Sequence, residues 1–582
     1  MLKILRYLRP YLWLVFITVL LVIVDSYVTL YLPDLMSQII DKGITRGDVD
    51  YIWKTGGKML LVSLIQVVAI IIMSATSSKA AMCAGKDLRE DLFKRVQSFS
   101  LTEMDKFSTA SLITRTTNDV TQIQQALVMV QRMVIRAPIV AIGSIFMAIS
   151  KNAKLTMILL VSVPAAALAM YLIFAKVMPL FKSMQKKIDK LNLVLRERIT
   201  GIRVIRAFNK EEYEKNRFEQ ANVDLTQTAL KVNRIGSIVF PIMTIVMNFT
   251  IIALIWFGAK QIDLGQLQVG SMIAVMQYVM QILFSFIMIS MIFVFLPRAS
   301  VSAQRVMEVL QAFPSIVESE DTEEPSGEGV VEFKNVTFYY PGAKEPALQN
   351  VSFTARPGQM TAIIGGTGSG KTTILNLIMR FYDATEGAIT IDGVDVKKIP
   401  LGKLRKMIGY APQKPIIFSG TIAENIRFGR DELTNEDIFN AAEIAQVNEF
   451  AKKMPDGLNS VVAQGGTNLS GGQKQRISIA RAIVGRPKIY LFDDTFSALD
   501  FRTDARIRAR LFKETKDATV IVVAQRVATI MHADQIVVMK EGRVEGIGTH
   551  SQLMQTCQVY RDIVLSQISE EEAVVGGEFS DR

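Results

Sequence analysis

The chain has 582 residues, half of them hydrophobic and 21% charged, with a formal net charge of +11. That length implies several domains, and a mean hydropathy of +0.28 excludes an evenly mixed soluble protein: apolar residues crowd roughly the first 300 positions and charge dominates the rest. Two cysteines far apart (Cys83, Cys557) imply no disulfide framework, two histidines (His532, His550) exclude a histidine-rich metal site, and no basic face interleaved with stacking aromatics points to nucleic acid.

In chain order, six apolar segments reach the roughly 20 residues that a helical span needs: 12–33, 58–77, 129–149, 155–176, 237–259 and 272–296. The basic start MLKILRYLRPY carries no small-residue cleavage site, so it reads as a cytoplasmic N-terminus rather than a signal peptide. The link between spans two and three carries Lys79, Lys86, Arg89, Lys94, Arg95, Lys106 and Arg115, and KKIDK, RERITGIRVIR and NKEEYEK fill the link between spans four and five. The connectors 150–154 and 260–270 are short and poor in charge. Positive residues stay inside, which predicts both ends in the cytoplasm, two long inner links and three short outer loops. LREDLFKRVQSF and TQIQQALVMVQRMV repeat apolar residues three and four apart, so the inner links continue the spans as helices. Reversals are expected near STASLITRTTND and near residues 208–216, and both are natural docking points for a cytoplasmic partner domain. Asp25, Arg136 and Asn248 lie within or beside the spans as candidates for an inward-facing pathway, against which stands a plain helix–helix hydrogen bond. Met272, Met276, Met280, Met288 and Met291 of span six either line an adaptable cavity or simply pack.

The run ESEDTEEPSGEG, residues 318–329, is acidic, aperiodic and contains Pro and Gly, so it reads as a linker between a membrane domain (1–317) and a second domain (330–582). There VEFKNVTFYY and MTAIIGG read as strands, and the second leads into GGTGSGKTT and the helix ILNLIMRFY. Gly365, Gly370, Lys371 and Thr372 match the P-loop pattern, and Gly366, Thr367, Gly368, Ser369 and Thr373 complete the loop and the helix start. In such a loop backbone N–H groups wrap phosphates, the lysine neutralises the β/γ oxygens and the threonine hydroxyl reaches Mg²⁺. The helix N-terminus adds its positive end. IYLFDDTFSALD, residues 489–500, is a buried strand ending in two carboxylates. Asp493 fits the acid that holds Mg²⁺, and position 494 is where a general base for water would stand.

NLSGGQKQR, residues 468–476, together with the P-loop and six spans, makes the chain resemble the ABC exporters over almost its whole length. The resemblance implies a multidomain membrane protein: a six-helix all-α transmembrane domain of the type I ABC exporter kind, followed by an α/β P-loop nucleotide-binding domain. It implies ATP and Mg²⁺ as cofactors, Tyr340 stacking on adenine, and Gln413 of YAPQKPIIFSGTIAENI sensing Mg²⁺ and contacting the membrane domain. Ser497 to Asp500 match the D-loop, and LITRTTNDV and ERITGIRVIRAF resemble the family's cytoplasmic-loop motifs, with Ala110 where glycine is common. Two nucleotide domains of such proteins close head to tail, each ATP lying between one P-loop and the other domain's signature. The family's glutamate and histidine are replaced here by Asp494 and Gln525, and Gln464 stands where a glutamate is usual. Asp is one methylene short of Glu, and Gln cannot carry charge as His can, so this site should hold ATP and hydrolyse it slowly. The signature residues Ser470, Gly471, Gly472 and Gln473 are intact and would complete another domain's ATP site. The resemblance therefore implies a heterodimer with a second, homologous half-transporter in a prokaryotic inner membrane, its ATP-binding domain cytoplasmic. Its substrates would be hydrophobic or amphipathic compounds of the multidrug kind. Lipid or peptide export, and less so an ATP-gated channel or regulatory subunit, are the alternatives.

Overall fold

The computed structural model describes residues 3–567 apart from Glu320, while in the sixth span the side chains of Ser290, Met291, Phe293 and Val294 lie outside the described residues. It forms two compact units, one of residues 1–97 and 110–312, the other of residues 98–109 and 313–582.

The first unit is all helical, and its described residues include six helical stretches long and apolar enough to cross a membrane: Ile4–Ile44, Val49–Gln97, Thr109–Lys151, Ala153–Thr200, Glu211–Asp263 and Val269–Ile289. The inner links are helical, as their periodicity predicts, and the second span runs unbroken to Gln97. At the short connector 150–154 the backbone of Asn152 turns extended and its side chain accepts the Leu155 N–H at 2.9 Å, restarting the helix. The second inner reversal spans Phe208–Lys210, where Asn209 takes a positive φ of 49° before the helix Glu211–Ser237 begins. The first reversal is divided between two breaks: one at residues 98–100, and one at Ser108, the first residue of STASLITRTTND, whose φ is 57°; the rest of that stretch is helical, with one π-helical turn at Arg115–Asp119.

Polar residues in the spans mostly hold one another. Asp25, 1% exposed, accepts Arg136 Nε at 2.6 Å and Gln66 Nε2 at 2.9 Å. One turn on, the Thr29 carbonyl accepts Gln281 Nε2 at 3.0 Å, and Ser144 Oγ donates to Gln281 Oε1 at 2.9 Å. Tyr278 O–H donates to the Leu30 carbonyl at 3.0 Å. Asp25 and Arg136 thus make the helix–helix contact: the pair joins spans one and three, Gln66 adds span two, and Gln281 and Tyr278 bring in span six. Asn248 is exposed, and Met272 and Met276 pack against a cluster that includes Leu155, Leu254 and Val275.

The second unit is α/β. Its strands are β1 (Val331–Phe338), β2 (Leu348–Ala355), β3 (Met360–Gly365), β4 (Glu386–Ile391), β5 (Val394–Asp395), β6 (Ile408–Ala411), β7 (Gly420–Thr421), β8 (Val461–Val462), β9 (Ile489–Asp493), β10 (Thr519–Val523), β11 (Gln535–Lys540) and β12 (Arg543–Gly548). An antiparallel sheet has the order β2-β1-β4-β5, and the main sheet the order β12-β11-β3-β10-β9-β6, parallel except at its β12 edge. Strands of a parallel sheet are covered on both faces and so read as unbroken apolar runs. In β9, Ile489 and Leu491 point into one core, and Tyr490 and Phe492 into the other. Residues 98–109 join this unit as a short helix, Leu101–Phe107, closed by a capping box between Ser100 and Glu103. Tyr382 O–H donates to Asp105 Oδ2 at 3.1 Å, and the Ser100 and Ser315 hydroxyls lie 2.7 Å apart.

Candidate nucleotide site

Open parallel sheets bind ligands beyond the carboxyl ends of their strands, and three adjacent strands deliver the site here. The P-loop follows β3, Asp493 ends β9, and Gln525 lies two residues past β10, which runs between them in register (Val523 opposite both Asp493 and Ile363). Two glycines are required by the backbone. A Cβ on Gly365 would fall 2.1 Å from the Met539 carbonyl oxygen, and Gly370 has φ 94° with the Ala347 carbonyl 2.7 Å from where its Cβ would be. The helix Lys371–Ile378 starts at that point, so its unpaired first-turn N–H groups open toward the loop.

The cleft is lined by Tyr340, Ala347, residues 367–373, Gln413, Asp493, Asp494, Val523 and Gln525, and has a volume of about 290 Å³. That is at the lower edge of the roughly 300–1,000 Å³ of small-molecule sites. Lys371 Nζ donates to the carbonyls of Gly365 (2.9 Å) and Gly366 (2.7 Å), the first two loop residues. Burial pulls its ammonium below the usual lysine range, with the Asp494 and Asp493 charges opposing. Asp493, 2% exposed, accepts the Thr372 hydroxyl at 3.1 Å. Burial raises its carboxyl above the usual aspartate range, the Thr372 hydrogen bond opposes this and the neighbouring Asp494 adds to it. A carboxylate beside a hydroxyl is a hard-oxygen pair suited to Mg²⁺, and the glycine-lined loop with Lys371 suits a polyphosphate. The residues present therefore fit ATP with Mg²⁺.

Asp494 sits at φ 45°, its N–H donating to the Val523 carbonyl at 2.9 Å, and its Oδ2 accepts Gln413 Nε2 at 3.3 Å. The Tyr340 hydroxyl lies 2.9 Å from Thr373 Oγ1, and its ring meets Phe338 and Tyr382 edge-on. The structure thus gathers Tyr340, the P-loop, Gln413, Asp493, Asp494 and Gln525 around one cleft. Ser470, Gly471, Gly472 and Gln473 do not line it. They open the helix Gly471–Ile483, where Ser470 N–H donates to Gln473 Oε1 at 2.8 Å and Ser470 Oγ accepts the Gln473 N–H at 3.3 Å. Gln464 is exposed in a turn preceding the signature.

Sequence reasoning passed over the residues that brace the site. Buried Gln475 donates to the Pro412 carbonyl at 3.3 Å and buried Thr495 to the Ala411 carbonyl at 3.0 Å, fixing the approach to Gln413. Gln567 reaches the backbone on both sides of Arg526. Gln475 and Thr495 lie inside recognisable motifs, whereas Gln567 carries no sequence signal.

Residues 15–286 match the family model "ABC transporter transmembrane region" and residues 348–497 the model "ABC transporter". An uncharacterized ABC transporter ATP-binding protein of Mycobacterium tuberculosis is 43% identical over 577 residues, 98% of each chain. One of Bacillus subtilis is 37% identical over 98% of this chain and 99% of its own. A fatty acid ABC transporter ATP-binding/permease protein of Mycobacterium bovis is 33% identical over 81% of this chain and 75% of its own. The solved structure of a bacterial Atm1-family ABC exporter with ATP bound shares the fold at a TM-score of 0.79 and 24% identity, covering 95% of this chain and 98% of that one.

Proposed function

This chain belongs to the ABC transporter family, one membrane region fused ahead of one ATP-binding domain in an ATPase coupled to transport, and from that premise we propose that it serves as one subunit of a heterodimeric exporter. Its own cleft holds ATP with Mg²⁺ and hydrolyses it slowly. Its signature, Ser470 to Gln473, completes the site on a homologous partner, where most turnover occurs. The observation that carries this reading is that Asp494 and Gln525 line the same cleft as Lys371 while the signature lines none of it. Both departures from the family's usual pair therefore fall on one ATP. Asp493, Thr372 and Gln413 hold the metal side, Lys371 and the loop N–H groups hold the phosphates, and Tyr340 takes the base.

The compounds moved are amphipathic or hydrophobic, since the spans are apolar and rich in Met and Phe. A lipid-like chain is the second reading, favoured by the fatty acid transporter among the relatives. The chain spans the cell's inner membrane with its N-terminus and ATP-binding domain in the cytoplasm.

The test is ATPase activity of the purified chain alone and mixed with its homologous half-transporter. Turnover that needs both, and that falls at least a hundredfold when the partner's base is removed but under threefold in Asp494→Asn, supports the proposal. Brisk turnover of the chain alone, lost in Asp494→Asn, overturns it.

A further inference from the structure

The loop after β10 is short and passes straight from a buried strand to a four-residue helix, Val527–Ile530. A loop of that kind leaves backbone groups without partners at both ends. One side chain supplies two of them. Gln567 Nε2 donates to the Gln525 carbonyl at 2.8 Å, and Gln567 Oε1 accepts the Val527 N–H at 2.9 Å. The carboxamide is planar and bidentate, so it fixes both the position and the rotation of the peptide segment that bears the Gln525 side chain. The far end of the little helix is secured separately: Arg508 Nη1 donates to the Thr529 carbonyl at 3.2 Å, while Arg508 Nε pairs with Asp504 Oδ1 at 2.9 Å. Gln567 therefore holds the backbone from Gln525 to Val527, the loop that carries the cleft-lining Gln525 into the helix.

We propose that Gln567 is a positioning residue for nucleotide binding, acting through Gln525 to let the site distinguish ATP from ADP. The inference rests on the proposed function, with Gln525, which lines the cleft beside the P-loop in the place of the family's histidine and whose amide can still hydrogen-bond, meeting the γ-phosphate. If it does, misplacing the loop weakens ATP and spares ADP, because the base and the first two phosphates are held by Tyr340 and the P-loop, which Gln567 does not touch. A side chain that merely stabilised the fold would affect both nucleotides alike.

The test uses the purified full-length protein and titrates fluorescent ATP and ADP analogues with Mg²⁺ into wild type, Gln567→Ala, Gln567→Glu, Gln525→Ala and the Gln525→Ala/Gln567→Ala double variant. Gln567→Glu keeps an acceptor for the Val527 N–H but loses the donor to the Gln525 carbonyl, which separates folding from positioning. The expected result is an ATP affinity about threefold to tenfold weaker in both Gln567 variants, the worth of one or two hydrogen bonds. ADP affinity should stay within twofold, and Gln567→Ala should add nothing on the Gln525→Ala background. Equal weakening of ATP and ADP, or additive effects in the double variant, overturns the proposal. ATP binding unchanged in Gln567→Ala but weakened in Gln525→Ala overturns it alone. ATP binding unchanged in Gln525→Ala overturns it together with the γ-phosphate reading.

Discussion

Lengthening Asp494 by one methylene is the most direct probe of the slow site. The Asp494 backbone is pinned by its N–H to the Val523 carbonyl at 2.9 Å, at the end of a buried strand pair, so the main chain cannot shift to compensate for a short side chain. Asp494→Glu moves the carboxylate outward by about one C–C bond, ~1.5 Å, into the cleft that Lys371 and Thr372 line. A well-placed general base is worth about 10²–10⁴ in rate, or about 2.7–5.4 kcal/mol at 1.36 kcal/mol per tenfold. Gln525 remains, so the gain should fall at or below the lower end of that range: about 10- to 100-fold in phosphate release by the chain alone, where a second copy brings an intact Ser470–Gln473 signature. The substitution also has a cost. Position 494 has φ 45°, a region Asp tolerates better than longer side chains, so about 1 kcal/mol of stability should be lost, seen as a melting point lower by about 2–4 °C. The assay is steady-state phosphate release at saturating Mg-ATP with nucleotide binding measured in parallel. A rate within twofold of wild type, with ATP still bound, refutes the argument that carboxylate reach limits this site.

Other perturbations follow from the same geometry. Asp25→Ala leaves the half-buried Arg136 without its carboxylate partner and should cost about 1.5–3 kcal/mol in unfolding measured in detergent, while Asp25→Ala with Arg136→Leu should recover much of it. Tyr382→Phe removes one hydroxyl from Asp105; ATP binding should persist while substrate-stimulated ATPase falls several-fold, read in reconstituted vesicles. Glu443 is held below its ordinary value of 4.5, first by the Asn448 amide and then by Arg510. A lowered carboxyl stabilises the fold above its unfolded pKa and loses that contribution as pH falls through the folded one. Glu443→Gln should therefore lower the melting temperature slightly in the neutral range, where wild type keeps the contribution, and converge on wild type below about pH 4.5.

How far the sequence alone reached can be seen residue by residue. Apolar length identified the six membrane helices, because a bilayer needs about 20 such residues in a row. Periodicity carried them into the inner links. The pattern GGTGSGKTT after an apolar strand identified the phosphate loop, since only glycines permit that backbone. IYLFDD and VIVVAQ read as strands for the same local reason, a continuous apolar run ending in a polar residue. What sequence could not order is adjacency. That β10 lies between β3 and β9, bringing Asp493, Asp494 and Gln525 to one cleft, is set by hydrogen-bond pairing of β10 with β9 (Thr519 opposite Ile489) and with the far more distant β3 (Val520 opposite Met360). The reversal expected near STASLITRTTND does begin at Ser108, but the earlier break at residues 98–100 was not anticipated, because a capping box between Ser100 and Glu103 outweighs a long helical pattern locally. Asp25 and Arg136, each a lone charge in an apolar stretch, became a pair only when helix packing set them 2.6 Å apart. Gln567, with no motif and no period around it, acquired its place solely because chain packing returns it to the backbone of residues 525 and 527. Local pattern decided which elements form and what chemistry each can carry, because propensity and periodicity act over a few residues. Long-range packing decided which of those groups face each other, because that depends on free energy summed over the whole core.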